Sequence, residues 1–228
     1  MLDIKEYIAA QCRNEFMKDP KGYCRQLKIK ETTAELYEIG IVPEEGLFSM
    51  LESAGYSSDI IKALHFSDYK NRFCFPSRTA EGVISAFYFK RSNTSFQQPT
   101  WICRSCSLSD LYGINKCVPN KNYVLLCEGV GDVLACANVG ISNATTYGNG
   151  RFPTEEQISA LGRFKTVVLA FDNDGYGKET SEKVRTALAS NDIAAITLAY
   201  ENRDIGEAMR DLTQRRLIIN QLKTIMNL

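Results

Sequence analysis

The sequence has few of the features that mark membrane or secreted proteins. None of its apolar runs is long enough to span a bilayer, and residues 1–10 carry acids where a signal peptide has an apolar core. We therefore expect a cytoplasmic protein with no membrane partner. The 27 basic and 27 acidic residues give a formal net charge of zero, so overall charge provides no argument for a nucleic-acid partner.

Three further features limit the kinds of chemical site that we expect in this chain. Among the 8 cysteines, Cys103 and Cys106 have the spacing of half a zinc site, but no second pair of this kind exists, so we expect no zinc. The single histidine, His65, follows Ala63 and Leu64, where a helix-end residue is more typical than a catalytic base. The sequence also lacks a Gly-x-x-x-x-Gly-Lys phosphate loop, which disfavours an ordinary nucleotide-hydrolysing enzyme.

The apolar patterns predict an α/β fold in two parts. Residues 1–64 read as short helices, and a β-hairpin follows with strands at 72–76 and 83–89. From residue 123, strands alternate with helices, which predicts right-handed βαβ units and a parallel sheet. The predicted strands are 123–127, 141–146, 167–171 and 193–199, and the predicted helices are 132–138, 154–161, 181–190 and 205–228. We expect a parallel sheet flanked by helices in residues 122–228, preceded by a smaller mixed α+β subdomain in residues 1–121.

Two aspartates follow the most apolar of these strands. While the chain stays extended, Asp172 and Asp174 would point to the same side, and Gly175 and Gly177 would then allow a sharp turn. Glu128 ends another predicted central strand. Carboxylates at neighbouring strand ends can meet in space, and hard oxygen ligands of this kind suit Mg²⁺. The alternative is a solvated turn in which Asp174 caps a helix.

The middle of the chain is basic although the whole is neutral. Residues 62–121 contain nine lysines and arginines but three acids. Aromatic residues are interleaved with them, which is typical of a platform for single-stranded nucleic acid, although the same aromatics could form the core of the hairpin. The candidates for contact with nucleic acid are Arg72, Lys90 and Arg91.

Two sets of motifs resemble known families. The segments 128–132 (EGVGD) and 172–177 (DNDGYG) resemble the Toprim signature of primases, topoisomerases, OLD-family nucleases and RecR-type proteins, with Gly129 and Gly177 supporting the site. The segment 71–91, which begins NRFCFP, is similar to the arginine-rich segment of DnaG-type primases. Shorter elements at 38–41, 111–114 and 202–205 resemble DnaG elements in the same order. The chain thus resembles a DnaG-type primase catalytic core.

The resemblance implies roles for the acids. Glu128 would be the catalytic acid, acting as a base or metal ligand, while Asp172 and Asp174 would share in catalysis and hold Mg²⁺ or Mn²⁺. Asp132 would support the site, and Asp204 would add a metal ligand. The alternatives are that Asp132 only caps a helix and that Asp204 is a surface residue.

The resemblance also implies a reaction and its partners. A 3′-hydroxyl would attack the α-phosphate of an NTP, making short RNA on a single-stranded DNA template. The residues that would hold the template or the nucleotide are Arg72, Lys90, Arg91 and Arg104. Two other functions remain open: a Toprim nuclease, and a non-catalytic replication accessory protein that binds single-stranded DNA.

Four features depart from the family pattern. We recognise neither the usual zinc-ribbon domain nor a full helicase domain, and two family lysines are missing, at Pro99-Thr100-Trp101 and at 107–110. These departures fit a minimal primase of a phage, plasmid or other mobile element. Such a protein would depend on a replicative helicase or a separate template-recognition protein.

Overall fold

A computed structural model of the protein describes residues 3–93, 99–105, 110–119, 122–148 and 152–226. The predictions that concern Cys106, residues 107–109 and Lys121 lie outside the described residues. The chain divides into two compact units. The first unit comprises Met1–Ser77 and Ile84–Cys106, and the second comprises Arg78–Val83 and Ser107–Leu228.

The first unit combines short helices with a four-stranded sheet. Its helices are α1 (Ile4–Phe16), α2 (Pro20–Leu27), α3 (Glu31–Leu36), α4 (Leu47–Ser53) and α5 (Ser58–Ala63). Its strands are β1 (Gly40–Ile41), β2 (Arg72–Arg78), β3 (Ile84–Arg91) and β4 (Trp101–Ser105), in the spatial order β1-β2-β3-β4. The predicted strands of the hairpin are β2 and β3. Sequence reasoning missed β4, which pairs antiparallel with β3.

The aromatic residues of the hairpin are core residues. Five of them are at most 2% exposed: Phe73, Phe75, Phe87, Tyr88 and Phe89. Side chains of β2 and β3 point alternately to opposite faces of the sheet, and nearly all of them are buried on either face. Both faces of these strands are therefore covered. These five aromatic residues therefore form part of the hydrophobic core, which was one of the two interpretations offered for them. Trp101 on β4 is half-buried.

The second unit contains the predicted parallel sheet. Its strands are β5 (Tyr123–Cys127), β6 (Ala144–Thr145), β7 (Thr166–Ala170) and β8 (Ala194–Thr197), in the order β6-β5-β7-β8 with every neighbouring pair parallel. Its helices are α6 (Val130–Asn138), α7 (Glu155–Leu161), α8 (Gly175–Ala189), α9 (Ile205–Arg210) and α10 (Leu212–Met226), and a 3₁₀ turn spans Ile114–Lys116. The predicted fold class is confirmed.

Several of the predicted elements differ from the structure. Helix α8 begins at Gly175, not at residue 181, because the Asp174 side chain accepts a hydrogen bond from Gly177 N and caps the helix. The predicted sharp turn at Gly175 and Gly177 is wrong, since both residues lie in the first turn of α8 with ordinary φ angles. The predicted C-terminal helix is two helices, because Asp211 adopts an extended conformation and its carboxylate caps α10.

The second unit begins before residue 122. Leu111, Ile114 and Cys117 are buried in the same apolar cluster as the central strands β5 and β7. The predicted domain boundary between residues 121 and 122 therefore lies inside the second unit, because this segment packs on the parallel sheet. None of the described helices is long and apolar enough to cross a membrane.

Candidate active site

The register of the two central strands brings Glu128 and Asp172 together. Cys127 on β5 lies opposite Ala170 on β7, so the chain leaves both strands at the same edge of the sheet. Glu128 follows β5 directly, and Phe171 and Asp172 follow β7. The backbone N–H of Asp172 donates to Oε2 of Glu128 at 3.3 Å. The structure thus places these two predicted site residues in direct contact.

Asp132 is both a capping residue and a member of the acidic site. It lies in the first turn of α6, where its Oδ2 accepts a hydrogen bond from Gly129 N at 3.1 Å. The pKa of Asp132 is raised from 3.8 to about 7, mainly by burial and also by the charges of Asp204 and Asp172. The capping role of Asp132 is thus observed, and its support of the acidic site stays a prediction.

Asp204 joins the same cluster from α9. Its Oδ1 accepts a hydrogen bond from Glu207 N at 2.6 Å, and its Oδ2 pairs with Arg203 at 2.8 Å. Its side chain is 16% exposed, which argues against a surface residue. A Cβ on Gly206 would stand 3.1 Å from Oδ1 of Asp132 and 3.1 Å from Oδ1 of Asp204. The lack of a side chain at Gly206 therefore leaves room for these two carboxylates.

Asp174 is exposed and caps α8. Its Oδ1 accepts a hydrogen bond from Gly177 N at 2.7 Å, as the alternative interpretation predicted. The strand ends at Ala170, so an extended chain does not set the direction of the two aspartate side chains. A carboxylate has two oxygens and several acceptor positions, so capping by Oδ1 leaves Asp174 able to bind a cation.

The site concentrates negative charge. The pKa of Asp172 is raised from 3.8 to about 6, mainly by burial and also by the nearby charges of Glu128, Asp204 and Asp174. Burial and mutual repulsion both disfavour the ionised form of these carboxyl groups. A divalent cation would supply the missing positive charge.

The donor set fits Mg²⁺ or Mn²⁺. In the described part of the chain, no three histidine, cysteine, aspartate or glutamate side chains form a ready coordination group. Magnesium sites that act on phosphates usually use one or two carboxylates, with waters and substrate oxygens as the other ligands. Glu128 and Asp172 provide two carboxylates at the same edge of the sheet, and these oxygen ligands do not suit a structural zinc.

The first unit places the predicted basic residues in different environments. Arg72 is fully buried, and its guanidinium donates to the carbonyl oxygens of Pro99 and, at 3.0 Å, of Thr100. This contact holds the segment that leads into β4. Contact between Arg72 and a template stays a prediction, and its buried position favours a structural role.

Lys90 and Arg91 are half-buried at the end of β3. The Lys90 ammonium lies 5.2 Å from the centre of the Trp101 ring. Burial lowers the pKa of Lys90, and the nearby charge of Lys28 lowers it further. Lys28, at the end of α2, was missed because it is distant from Lys90 in sequence. Arg104 donates to its neighbour's carbonyl, Cys103 O, at 3.1 Å.

Comparison with known proteins finds a family match within the second unit. Residues 125–209 match the family described as Toprim-like. A DNA primase of Staphylococcus epidermidis is 25% identical over 215 residues, which are 82% of this chain and 36% of the relative. The chain thus spans about a third of the length of this curated relative.

Solved structures agree with these matches. The DnaG catalytic core superposes with a TM-score of 0.80 at 17% identity, covering 98% of this chain and 81% of the other. The chain has the fold of the DnaG catalytic core. The DnaG primase catalytic domain bound to ssDNA gives a TM-score of 0.79 at 17% identity, covering 98% of this chain and 80% of the other. The motif-based resemblance to DnaG-type primases is confirmed.

Some residues of the candidate site could be recognised from the sequence and others could not. Glu128 directly follows β5, and Asp172 lies two residues after the end of β7. Both residues also belong to the motifs that resemble the Toprim signature. Nothing in the local pattern marks Gly206 or Asn173, because their contacts depend on how the connection before α9 meets the loop after β7. Asn173 donates from its backbone and from its side chain to that connection.

Replacing Asp132 by asparagine should stabilise the Toprim-like domain at high pH. The native carboxyl has a pKa raised from 3.8 to about 7, so wild-type stability falls as the pH rises through this interval. Asparagine keeps an acceptor for Gly129 N and cannot ionise. We expect Asp132→Asn to be more stable by about 1–4 kcal/mol at pH 8 and nearly equal to wild type at pH 3.5.

Urea unfolding without divalent cations, at both pH values, tests this expectation. Asp192→Asn is the matched control, because Asp192 is exposed and lies in a left-handed turn that asparagine also adopts. The same gain in stability at pH 3.5 and pH 8 would contradict the electrostatic explanation.

Proposed function

We propose that the protein is a DNA primase-like nucleotidyltransferase that makes short RNA primers on single-stranded DNA. The observation that carries the proposal is the contact between Glu128 and Asp172 at the carboxyl edge of a parallel sheet, within a DnaG-like fold. The solved DnaG catalytic domain bound to ssDNA supports the choice of template. A mobile-element origin, a helicase partner and a separate template-recognition protein stay predictions.

In the proposed reaction, a 3′-hydroxyl oxygen bonds to the α-phosphorus of an NTP and the bond to the departing pyrophosphate breaks. Glu128 would take the hydroxyl proton or bind the cation, and Asp172, Asp174 and Asp204 would hold Mg²⁺ or Mn²⁺. When bound, the cation would stabilise negative charge on the phosphate oxygens. Asp132, with its raised pKa, would support the site beside Asp204.

The first unit would bind the phosphates of the template or of the nucleotide. We propose that Lys90 and Arg91 make these contacts, together with Arg104 and the neighbouring Lys28. The half-buried Trp101 ring beside Lys90 offers a surface on which a base could stack. Arg72 would act indirectly, through the Pro99 and Thr100 carbonyls that its guanidinium holds.

A primer-synthesis assay tests the proposal. The purified protein is incubated with mixed-sequence single strands, four NTPs including a labelled one, and either Mg²⁺ or Mn²⁺. We expect short labelled RNA that disappears when the cation is chelated. Absence of RNA with either cation would refute the proposal if replication proteins encoded by neighbouring genes do not restore synthesis. A parallel reaction without NTPs shows whether the protein cuts DNA, the result that a Toprim nuclease would give.

A further inference from the structure

Asn173 stands between the two aspartates of the loop after β7, and it contacts a second loop. Its backbone N–H donates to Arg203 O at 2.7 Å. Its side-chain Nδ2 donates to Tyr200 O at 2.6 Å and to Asn202 O at 2.8 Å. One residue therefore makes three hydrogen bonds to the segment 200–203, which connects β8 to α9.

This segment leads directly to Asp204. The Asp204 carboxylate caps α9 and faces the space beside Gly206 that it shares with Asp132. The two loops are also joined in the other direction, because the Tyr200 hydroxyl donates to Phe171 O. Asp172 immediately precedes Asn173, and Asp204 immediately follows Arg203. The hydrogen bonds of Asn173 thus join the two loops at positions that neighbour both aspartates in the chain.

The chemistry of the asparagine amide suits this position. Asp172 and Asp204 carry like charges, so electrostatic repulsion favours separating the two loops. The Asn173 amide carries two N–H donors and no charge, so it can bind two carbonyl oxygens without adding to the repulsion. An aspartate of the same size has no donor when ionised, and alanine has none at all.

We propose that Asn173 is a positioning residue that holds Asp172 and Asp204 at the separation that a divalent cation requires. This inference rests on the proposed cation-binding role of the acids. Residues that orient metal ligands typically contribute about 10- to 100-fold to metal affinity.

A titration of the full chain with Mn²⁺ alone tests the inference without any need for catalysis. The unbound Mn²⁺ is measured by electron paramagnetic resonance. Asn173→Ala removes both side-chain donors, and we expect about 10- to 100-fold weaker binding. Asn173→Asp separates positioning from charge: an added carboxylate would strengthen binding if charge alone mattered, whereas we expect weaker binding. Asn173→Ser keeps one short donor and should be intermediate.

Gln221→Ala is the matched control. The Gln221 amide donates to Ala199 O at 2.7 Å and accepts from Ala199 N at 3.1 Å, so it braces the same connection without touching the acidic loop. We expect its Mn²⁺ affinity to equal that of wild type, with folding checked by circular dichroism. Wild-type affinity in Asn173→Ala, or an equal loss in Gln221→Ala, would overturn the inference and leave the proposed function intact. Failure of the wild type to bind Mn²⁺ would overturn both.

Discussion

Asp172→Asn and Glu128→Gln should each reduce primer synthesis by roughly 100- to 10,000-fold while leaving the fold intact. Both changes keep the size of the side chain and remove a negative charge. In the proposed mechanism that charge binds the cation or accepts the hydroxyl proton. Because burial and neighbouring negative charges raise the pKa of Asp172 to about 6, a neutral amide there removes an unfavourable charge, so the variant should be at least as stable as wild type at pH 8.

The stability measurement separates loss of chemistry from loss of structure. Asp192→Asn and Glu156→Gln make the same two chemical changes at exposed positions of the second unit and should retain full activity. Initial rates of labelled RNA synthesis, measured alongside thermal unfolding, give the comparison. Near wild-type rates in both Asp172→Asn and Glu128→Gln would show that these acids are not catalytic. That result would mean that other residues of the protein carry the synthesis of RNA.

The central part of this site was predictable because it depends on strand ends. A strand that is apolar along its whole length is buried on both faces of a parallel sheet, as β5 and β7 are. The residues after two neighbouring parallel strands must emerge at one edge. Glu128 and Asp172 could therefore be paired from the sequence alone, without knowledge of any other contact.

The parts that depend on packing between distant segments could not be predicted from local sequence patterns, although the resemblance to DnaG-type primases implied roles for Asp132 and Asp204. Asp132 and Asp204 meet because α9 lies near α6, and the local pattern around either residue fits a helix cap equally well. Arg72 was expected to contact nucleic acid, whereas it is buried, which is uncommon for an arginine. Its burial depends on the carbonyls of Pro99 and Thr100, and β4, which follows them, had also been missed.

The start of α8 shows a different limit of sequence reasoning. Glycines after a strand suggested a turn, and the conformational freedom of glycine was the expected reason for them. The structure gives Gly177 another reason. A Cβ at residue 177 would lie 2.1 Å from the carbonyl oxygen of Asp172, 2.8 Å from its carbonyl carbon and 2.9 Å from its nitrogen. The helix can approach the acidic loop closely because residue 177 has no side chain.

Gly177→Ala should therefore damage both stability and activity. The atoms in the way belong to the Asp172 backbone, so no side-chain rotation can relieve the clash, and the loop or the helix must move. We expect a loss of about 1–3 kcal/mol in the free energy of unfolding. Activity per folded molecule should fall as well, because the displaced backbone N–H of Asp172 is the group that contacts Glu128.

Gly175→Ala provides a close control for this effect, since both glycines lie in the first turn of α8. A Cβ at residue 175 would meet no atom within 4 Å, and alanine is the better helix former by about 0.5–1 kcal/mol. We expect Gly175→Ala to match or exceed the wild type in stability and to keep its rate of primer synthesis.

Urea unfolding and initial rates of primer synthesis, measured on both variants, test these two expectations. Equal behaviour of the two variants would show that the close approach at Gly177 does not constrain the site. A destabilised Gly177→Ala with undiminished activity per folded molecule would show that the position of Asp172 tolerates the shift.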